Sequence, residues 1–177
     1  MQKLKENPLL ERPHLEPMFN YAKEKHDKTK AVRKYSGNPY WEHPSGVADL
    51  ALAYGGSDIE IEVALAHDTL EDTDATYEEI VNEFGETVAG YVQEITNDKD
   101  KIYELGKEEY INQELVNLSH PALFVKLCDI LYNMLDHPKK EQAERMCRNI
   151  DYLMTHRRKD LNSKEWDLIE SIPMFDE

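Results

Sequence analysis

The run Asp58-Ile-Glu-Ile-Glu-Val-Ala-Leu-Ala66-His67-Asp68-Thr-Leu-Glu71-Asp72-Thr73 decides how this chain folds and what chemistry to expect of it. Its first nine residues read as a mostly apolar helix. Immediately after them His67, Asp68, Glu71 and Asp72 crowd into six positions. An apolar helix has little structural use for a histidine beside three carboxylates, because packing them costs desolvation and mutual repulsion unless a cation or solvent compensates. A divalent metal compensates. Neutral imidazole with ionised carboxylates forms a borderline-hard donor set suited to manganese, iron or zinc.

The flanks of this run carry helix punctuation. Ser57-Asp-Ile-Glu60 and Thr76-Tyr-Glu-Glu79 fit the capping box, in which a hydroxyl and a carboxylate satisfy the free N–H groups of a helix start. Gly55-Gly56 and Gly85 follow apolar runs, where a left-handed residue ends a helix. Pro44 and Pro121 suit first-turn positions. No stretch alternates as several strands would, so the expected class is all-α. The pattern predicts helices over Leu15–Arg33, Pro44–Tyr54, Asp58–Thr69, Tyr77–Phe84, Glu86–Thr96, Lys107–Leu118, Pro121–Leu135, Lys139–His156 and Ser163–Ser171.

Two further stretches carry polar residues where an apolar frame does not need them. Gly37-Asn-Pro-Tyr-Trp-Glu-His43-Pro-Ser-Gly-Val-Ala48 is turn-rich, and the proline after His43 restricts that residue to extended backbone, so its ring is expected to project from a loop. Taken alone, a buried structural histidine is the alternative. In Phe124-Val-Lys126-Leu-Cys-Asp129-Ile-Leu-Tyr-Asn133-Met, the spacings of three and four put Lys126, Asp129 and Asn133 on one helix face. An intrahelical Lys126–Asp129 ion pair is one account, worth a few tenths of a kcal/mol. An aspartate among Val, Leu, Cys, Ile and Leu is nonetheless expensive unless paired or metal-bound, and a metal ligand fits better.

The 177 residues suit one compact domain, 1–177, with a motif core over 21–135 and C-terminal helices over 139–171 packing on it. Cys128 and Cys147 form no CxxC pair and no disulfide framework, which suits a reducing cytosol. The first residues lack the apolar core of a signal peptide, and no apolar run reaches the ~20 residues that span a bilayer. No membrane partner and a cytoplasmic location are expected. A net charge of −15 repels polyanions, which disfavours nucleic acid as a partner. An anionic small molecule remains compatible where local cations outweigh a field screened within ~8 Å. Beyond Lys139, His156-Arg-Arg-Lys159 reads as a cationic helix terminus, while Met146, Ile150, Leu153 and Met154 suit a helix closing the bundle. Oligomeric state is silent.

The order His…His-Asp…Asp, spread over separate elements, resembles the HD metal-dependent phosphohydrolase superfamily. Gly37-Asn-Pro-Tyr…His43-Pro…Val-Ala, His67-Asp-Thr-Leu-Glu-Asp-Thr73, Phe84-Gly85 and Lys126-Leu-Cys-Asp-Ile-Leu-Tyr-Asn133 resemble the hydrolase domain of the RelA/SpoT alarmone enzymes, most of all the stand-alone small alarmone hydrolases. The resemblance covers roughly Tyr21 to Leu135. It implies that His43, His67, Asp68 and Asp129 bind one metal, usually manganese, and that Glu71 and Asp72 form a catalytic acidic pair acting on water and leaving group. Which of the two is the base stays open. Arg33 and Lys34 match a basic pair placed against the nucleotide, and Lys126 and Asn133 match positions near ribose and phosphates. For Arg33-Lys34 a solvated helix end is the alternative.

The implied reaction removes the 3′-pyrophosphate of guanosine tetra- or pentaphosphate, giving pyrophosphate and GDP or GTP. Three features depart from the pattern. Ile130 stands where Lys or Arg usually follows the metal-binding Asp, Tyr103–Tyr110 is more acidic than its usual counterpart, and Cys128 replaces an alanine. They leave open another nucleotide, such as an adenosine alarmone or NADPH. A catalytically silent nucleotide-binding module is a third alternative, disfavoured by the presence of all six candidate metal and catalytic side chains.

Overall fold

The computed structural model describes residues 12–34 and 36–174, so Tyr35 of the loop after Arg33 and the N-terminal residues lie outside it. The regular elements among the described residues are all helices, and their one β-type pairing is an isolated bridge between Val32 and Pro39. After a short 3-10 turn over Pro13–Leu15 come α1 (Glu16–Thr29), α2 (Glu42–Ala53), α3 (Asp58–Ala66), α4 (Thr69–Asp72), α5 (Tyr77–Phe84) and α6 (Glu86–Ile95). They are followed by α7 (Lys99–Leu105), α8 (Lys107–Asn117), α9 (His120–Leu135), α10 (Lys140–Arg157), a 3-10 turn over Arg158–Asp160, and α11 (Ser163–Ser171).

Helix α9 is the axle. Apolar residues buried all round it, from Ala122 through Phe124, Leu127 and Leu131 to Met134, let it pack at once against α2, α3, α6 and α11. Cys128 fits among them as a buried free thiol whose pKa burial pushes up. Helix α10 lies against α8, with Ile150 and Leu153 buried as expected of a helix closing the bundle. The Arg157 guanidinium at its end donates to the Leu115 and Leu118 carbonyls, capping the C-terminus of α8. No helix among the described residues is long and apolar enough to cross a membrane.

Both capping boxes form, with Ser57 and Thr76 each accepting from the third residue of its helix. Elsewhere the elements differ from the sequence expectation in instructive ways. Helix α1 stops at Thr29 because Lys30 takes a left-handed conformation, φ 56°, four residues short of the expected end. The predicted Asp58–Thr69 helix breaks at His67-Asp68 into α3 and α4. The His67 ring bonds the Ala64 carbonyl and the Thr69 hydroxyl bonds the Ala66 carbonyl, each at 2.7 Å, so side chains occupy acceptors that a continuous ladder would use. Helix α7 has no counterpart in the expectation because it buries no residue and shows no apolar stripe; Asp98 holds its start by accepting from the amides of Asp100 and Lys101.

The expectation of a loop-borne His43 is corrected as well. His43 is the second residue of α2, and Pro44 is the third, a first-turn position where the missing N–H removes no bond. Gly46, three residues after His43, meets the ring of Tyr132, which lies three residues beyond Asp129. A Cβ on Gly46 would overlap that ring. This close approach of α2 to α9 fixes the separation of His43 from Asp129.

Candidate metal centre and adjoining cavity

Four side chains from three elements converge where α2, the α3–α4 turn and α9 meet. His43 Nε2 lies 3.1 Å from Asp129 Oδ1 and 3.5 Å from Asp68 Oδ2. His67 Nε2 lies 3.2 Å from Asp68 Oδ1 and 3.9 Å from Asp129 Oδ1. His43, His67 and Asp129 each offer one donor atom within 4.8 Å of the others, and Asp68 brackets both rings. The histidines are 2% and 6% exposed, whereas the Asp68 and Asp129 carboxylates keep partial access to solvent.

The donor set fits a cation. His67 Nδ1 is fixed on the Ala64 carbonyl, so the ring's other nitrogen is aimed at Asp68 and Asp129, and that buried Nε2 makes no hydrogen bond. Burial works against protonating His67, but the two carboxylates outweigh it and hold the imidazole up at about 9. Burial likewise opposes ionisation of Asp68 and Asp129. The facing imidazoles, and the Tyr40 hydroxyl on Asp68, prevail and keep both below the ordinary carboxylate range. Two imidazoles beside two ionised carboxylates are a donor set whose chemistry suits a divalent cation. Tyr40 donates to Asp68 Oδ2 at 2.7 Å, with burial and that carboxylate raising its own pKa. The Asn133 amide donates to Asp129 Oδ1 at 2.6 Å.

The acidic pair occupies α4. Glu71 Oε2 accepts from the Asn97 side-chain amide at 2.7 Å, which fixes its carboxylate at the end of that short helix. Partial burial, then the charges of Asp68 and Glu71, raise the Asp72 carboxyl above its ordinary value.

A cavity of about 230 Å³ opens beside Asp129, and Arg33, Lys126 and Asn133 line it. None of the three is a free contact. The Arg33 guanidinium pairs with Asp136 at 2.6 Å and donates to Asn133 Oδ1 at 3.1 Å. Lys126 reaches past Asp129 to Glu114 on α8 at 3.1 Å, an ion pair between elements rather than along one helix. Glu114 and Asp129 keep the ammonium charged against the pull of burial. Lys34 is exposed and does not line the cavity. The cavity also takes Asn97 from the α6–α7 link, Lys107 from α8, and Arg145 and Asn149 from α10. Arg145 and Asn149 share α10 and the other two come from elements of their own, and none belongs to a motif, so only the packing that brings these elements together reveals them.

Residues 19–153 match the family described as HD domain. The chain belongs to the HD-domain family. This HD domain is 42% identical over 120 residues to a zebrafish (Danio rerio) protein named guanosine-3′,5′-bis(diphosphate) 3′-pyrophosphohydrolase MESH1, across 66% of this chain and 65% of that protein. It is 44% identical over 119 residues to the guanosine-3′,5′-bis(diphosphate) 3′-pyrophosphohydrolase of Aquifex aeolicus, across 66% of this chain and 16% of that one. The matches thus span less than two thirds of these relatives' own length. A solved structure described as a metazoan ortholog of SpoT that hydrolyzes ppGpp shares the fold with a TM-score of 0.73, covering 89% of this chain and 92% of that one at 23% identity.

Proposed function

We propose that this HD domain is a metal-dependent hydrolase that removes the 3′-pyrophosphate of guanosine tetra- and pentaphosphate, leaving GDP or GTP. The observation that carries this reading is the meeting of His43, His67, Asp68 and Asp129 beside Glu71 and Asp72, at the edge of a cavity with cationic side chains. The activity named for the zebrafish and Aquifex relatives supports it.

His43, His67, Asp68 and Asp129 hold one divalent ion, for which we propose manganese. When bound, it supplies a Lewis acid and a water nucleophile available near neutral pH. Glu71, steadied by Asn97, is the general base that takes a proton from the attacking water. Water oxygen bonds to the phosphorus next to the ribose, the bond from that phosphorus to O3′ breaks, and pyrophosphate departs with the new oxygen. Asp72, its carboxyl raised by burial and by neighbouring charge, returns a proton to O3′. Arg33 and Asn133 orient ribose and phosphates, Lys126 adds positive potential from beneath, and Lys34 meets the substrate from outside the cavity. We place the reaction in the cytoplasm, where two unpaired buried thiols and a soluble nucleotide both belong.

Ile130 faces the cavity where the resemblance implies a cation, and this favours a second reading, hydrolysis of another phosphorylated nucleotide such as an adenosine alarmone or NADPH. Purified protein loaded with manganese and given guanosine tetraphosphate is expected to release pyrophosphate. Loaded protein that turns over a nucleotide panel but not this one moves the assignment to the second reading. No turnover of any member removes both.

A further inference from the structure

Glu114 on α8 carries a buried carboxylate, its side chain 7% exposed, that the proposed mechanism leaves without a task. Both of its oxygens are engaged. Oε1 accepts from the hydroxyl of Tyr110, one turn earlier on α8, at 3.4 Å, and Oε2 pairs with the Lys126 ammonium of α9 at 3.1 Å. Each of these partners reaches on to the link between α6 and α7. The Tyr110 oxygen accepts from the Asp98 main-chain amide at 2.9 Å, and Lys126 Nζ donates to Asn97 Oδ1 at 3.4 Å. Asn97 and Asp98 are neighbours in the chain, so the contacts close into a ring with Glu114 opposite the link.

From that ring one residue reaches the acidic pair. Asn97 donates to Glu71 Oε2 twice, from its side-chain amide at 2.7 Å and from its main-chain N–H at 3.4 Å. An ammonium only donates and an ionised carboxylate only accepts, so the Asn97 amide is oriented from both ends, its oxygen toward Lys126 and its nitrogen toward Glu71. A cation on the amide oxygen also polarises the group and strengthens the bond its nitrogen donates. Helix α7, which follows the link, buries no residue, so the apolar core does not fix Asn97 from that side.

We propose that Tyr110 and Glu114 are positioning residues for the reaction: through Lys126 and Asn97 they hold Glu71 by Oε2, which turns Oε1 to the attacking water. The inference rests on the hydrolase reading above and extends it to two side chains of α8 that do not line the cavity. A buried ion pair is weak evidence for stability, since apolar residues of similar volume often serve as well. A carboxylate held in one orientation is what general-base catalysis requires.

The test compares Tyr110→Phe and Glu114→Gln with the unmodified chain in two measurements. One is turnover of guanosine tetraphosphate by manganese-loaded protein. The other is the side-chain amide region of a proton–nitrogen NMR spectrum of the metal-free protein, with the Asn97 pair identified by its loss in Asn97→Ala. Each variant is expected to lower kcat about three- to tenfold, the scale of one hydrogen bond, while KM and manganese content stay within about twofold. The two Asn97 amide protons, spread apart by the Glu71 contact, are expected to draw together in both variants. Should Glu114→Gln strand Lys126 and fail to fold, Lys126→Met/Glu114→Leu removes the whole ion pair and serves for the spectrum. A kcat that falls only as far as the folded fraction does overturns the inference, and so does an Asn97 pair that stays in place in the variants. Either result alongside turnover by the unmodified chain leaves the proposed function standing, whereas absence of turnover by the unmodified chain removes both together.

Discussion

Replacing Tyr40 with phenylalanine removes one oxygen atom from the neighbourhood of the metal site and tests whether that site is held from outside. The Tyr40 hydroxyl donates at 2.7 Å to Asp68 Oδ2, the oxygen that also stands 3.5 Å from His43 Nε2. The ring itself is kept in place by His26, with centroids 5.1 Å apart, and by His43 at 5.8 Å, so phenylalanine retains the packing. A hydrogen bond to a charged group contributes about 1.5–3 kcal/mol. Outer contacts of this kind typically change metal affinity by about 10–100-fold, which is the same range on a logarithmic scale. Manganese affinity of Tyr40→Phe, measured by competition with a chelator, is therefore expected to fall at least about tenfold. At a fixed, saturating manganese concentration the weaker grip removes about 1.4 kcal/mol of linked stability per decade, or about 3–6 °C of Tm for a chain of this size. The metal-free protein loses only the bond's own contribution, so the loaded protein should fall further in Tm than the metal-free one by the linked part. An affinity within about twofold of the unmodified protein would refute the reasoning, since Asp68 would then hold its position without the hydroxyl.

Glu71→Gln keeps the Asn97 contact but cannot take a proton, so turnover is expected to fall about 10²–10⁴-fold in a pyrophosphate-release assay while metal content measured by elemental analysis is unchanged. Lys126→Met leaves Glu114 charged, uncompensated and buried, and urea unfolding should show a loss of about 3–5 kcal/mol, most of it regained in Lys126→Met/Glu114→Leu. Asp49, whose Oδ1 is buried without a partner, has its carboxyl raised from an ordinary 3.8 to about 7 by burial alone. Its folded pKa lies above the unfolded one, so the cost is absent below pH 3.8, grows as pH rises, and is complete above about 7. Discounted for partial exposure, Asp49→Asn is expected to stabilise by about 1–2 kcal/mol at pH 8, with the gain vanishing near pH 4; a gain independent of pH contradicts the origin assigned to it.

What the sequence discloses of this molecule is what is written locally. Ser57 with Glu60, and Thr76 with Glu79, announce helix starts because both partners of each capping box lie within four residues. The candidate ligands are recognisable because histidine and aspartate are out of place in apolar runs, and His43, His67 and Asp129 do meet in space. Features that depend on tertiary partners escape. His43 lies in a helix because the first turn tolerates Pro44, which a rule about the residue before proline misjudges. The His67-Asp68 break depends on side chains competing for carbonyls, a choice invisible in periodicity. Lys126 finds Glu114 on another helix rather than Asp129 on its own. Arg145 and Asn149 reach the cavity only because α10 folds back over α8, a long-range event with no signature at either position.

The contact between Gly46 and the Tyr132 ring gives the bundle a built-in gauge. A single hydrogen atom on the glycine sets how near two helices sit, and those helices carry candidate ligands, His43 and Asp129, from distant parts of the chain. On the proposed reading, the grip on a cation is cut into the scaffold before any ion arrives, rather than assembled around it. Stripping the ion with a chelator should therefore silence the protein without unravelling it, and adding it back should restore activity at the pace of diffusion. A methyl group at position 46 would act as a wedge, opening the jaws from a place that never touches what they hold.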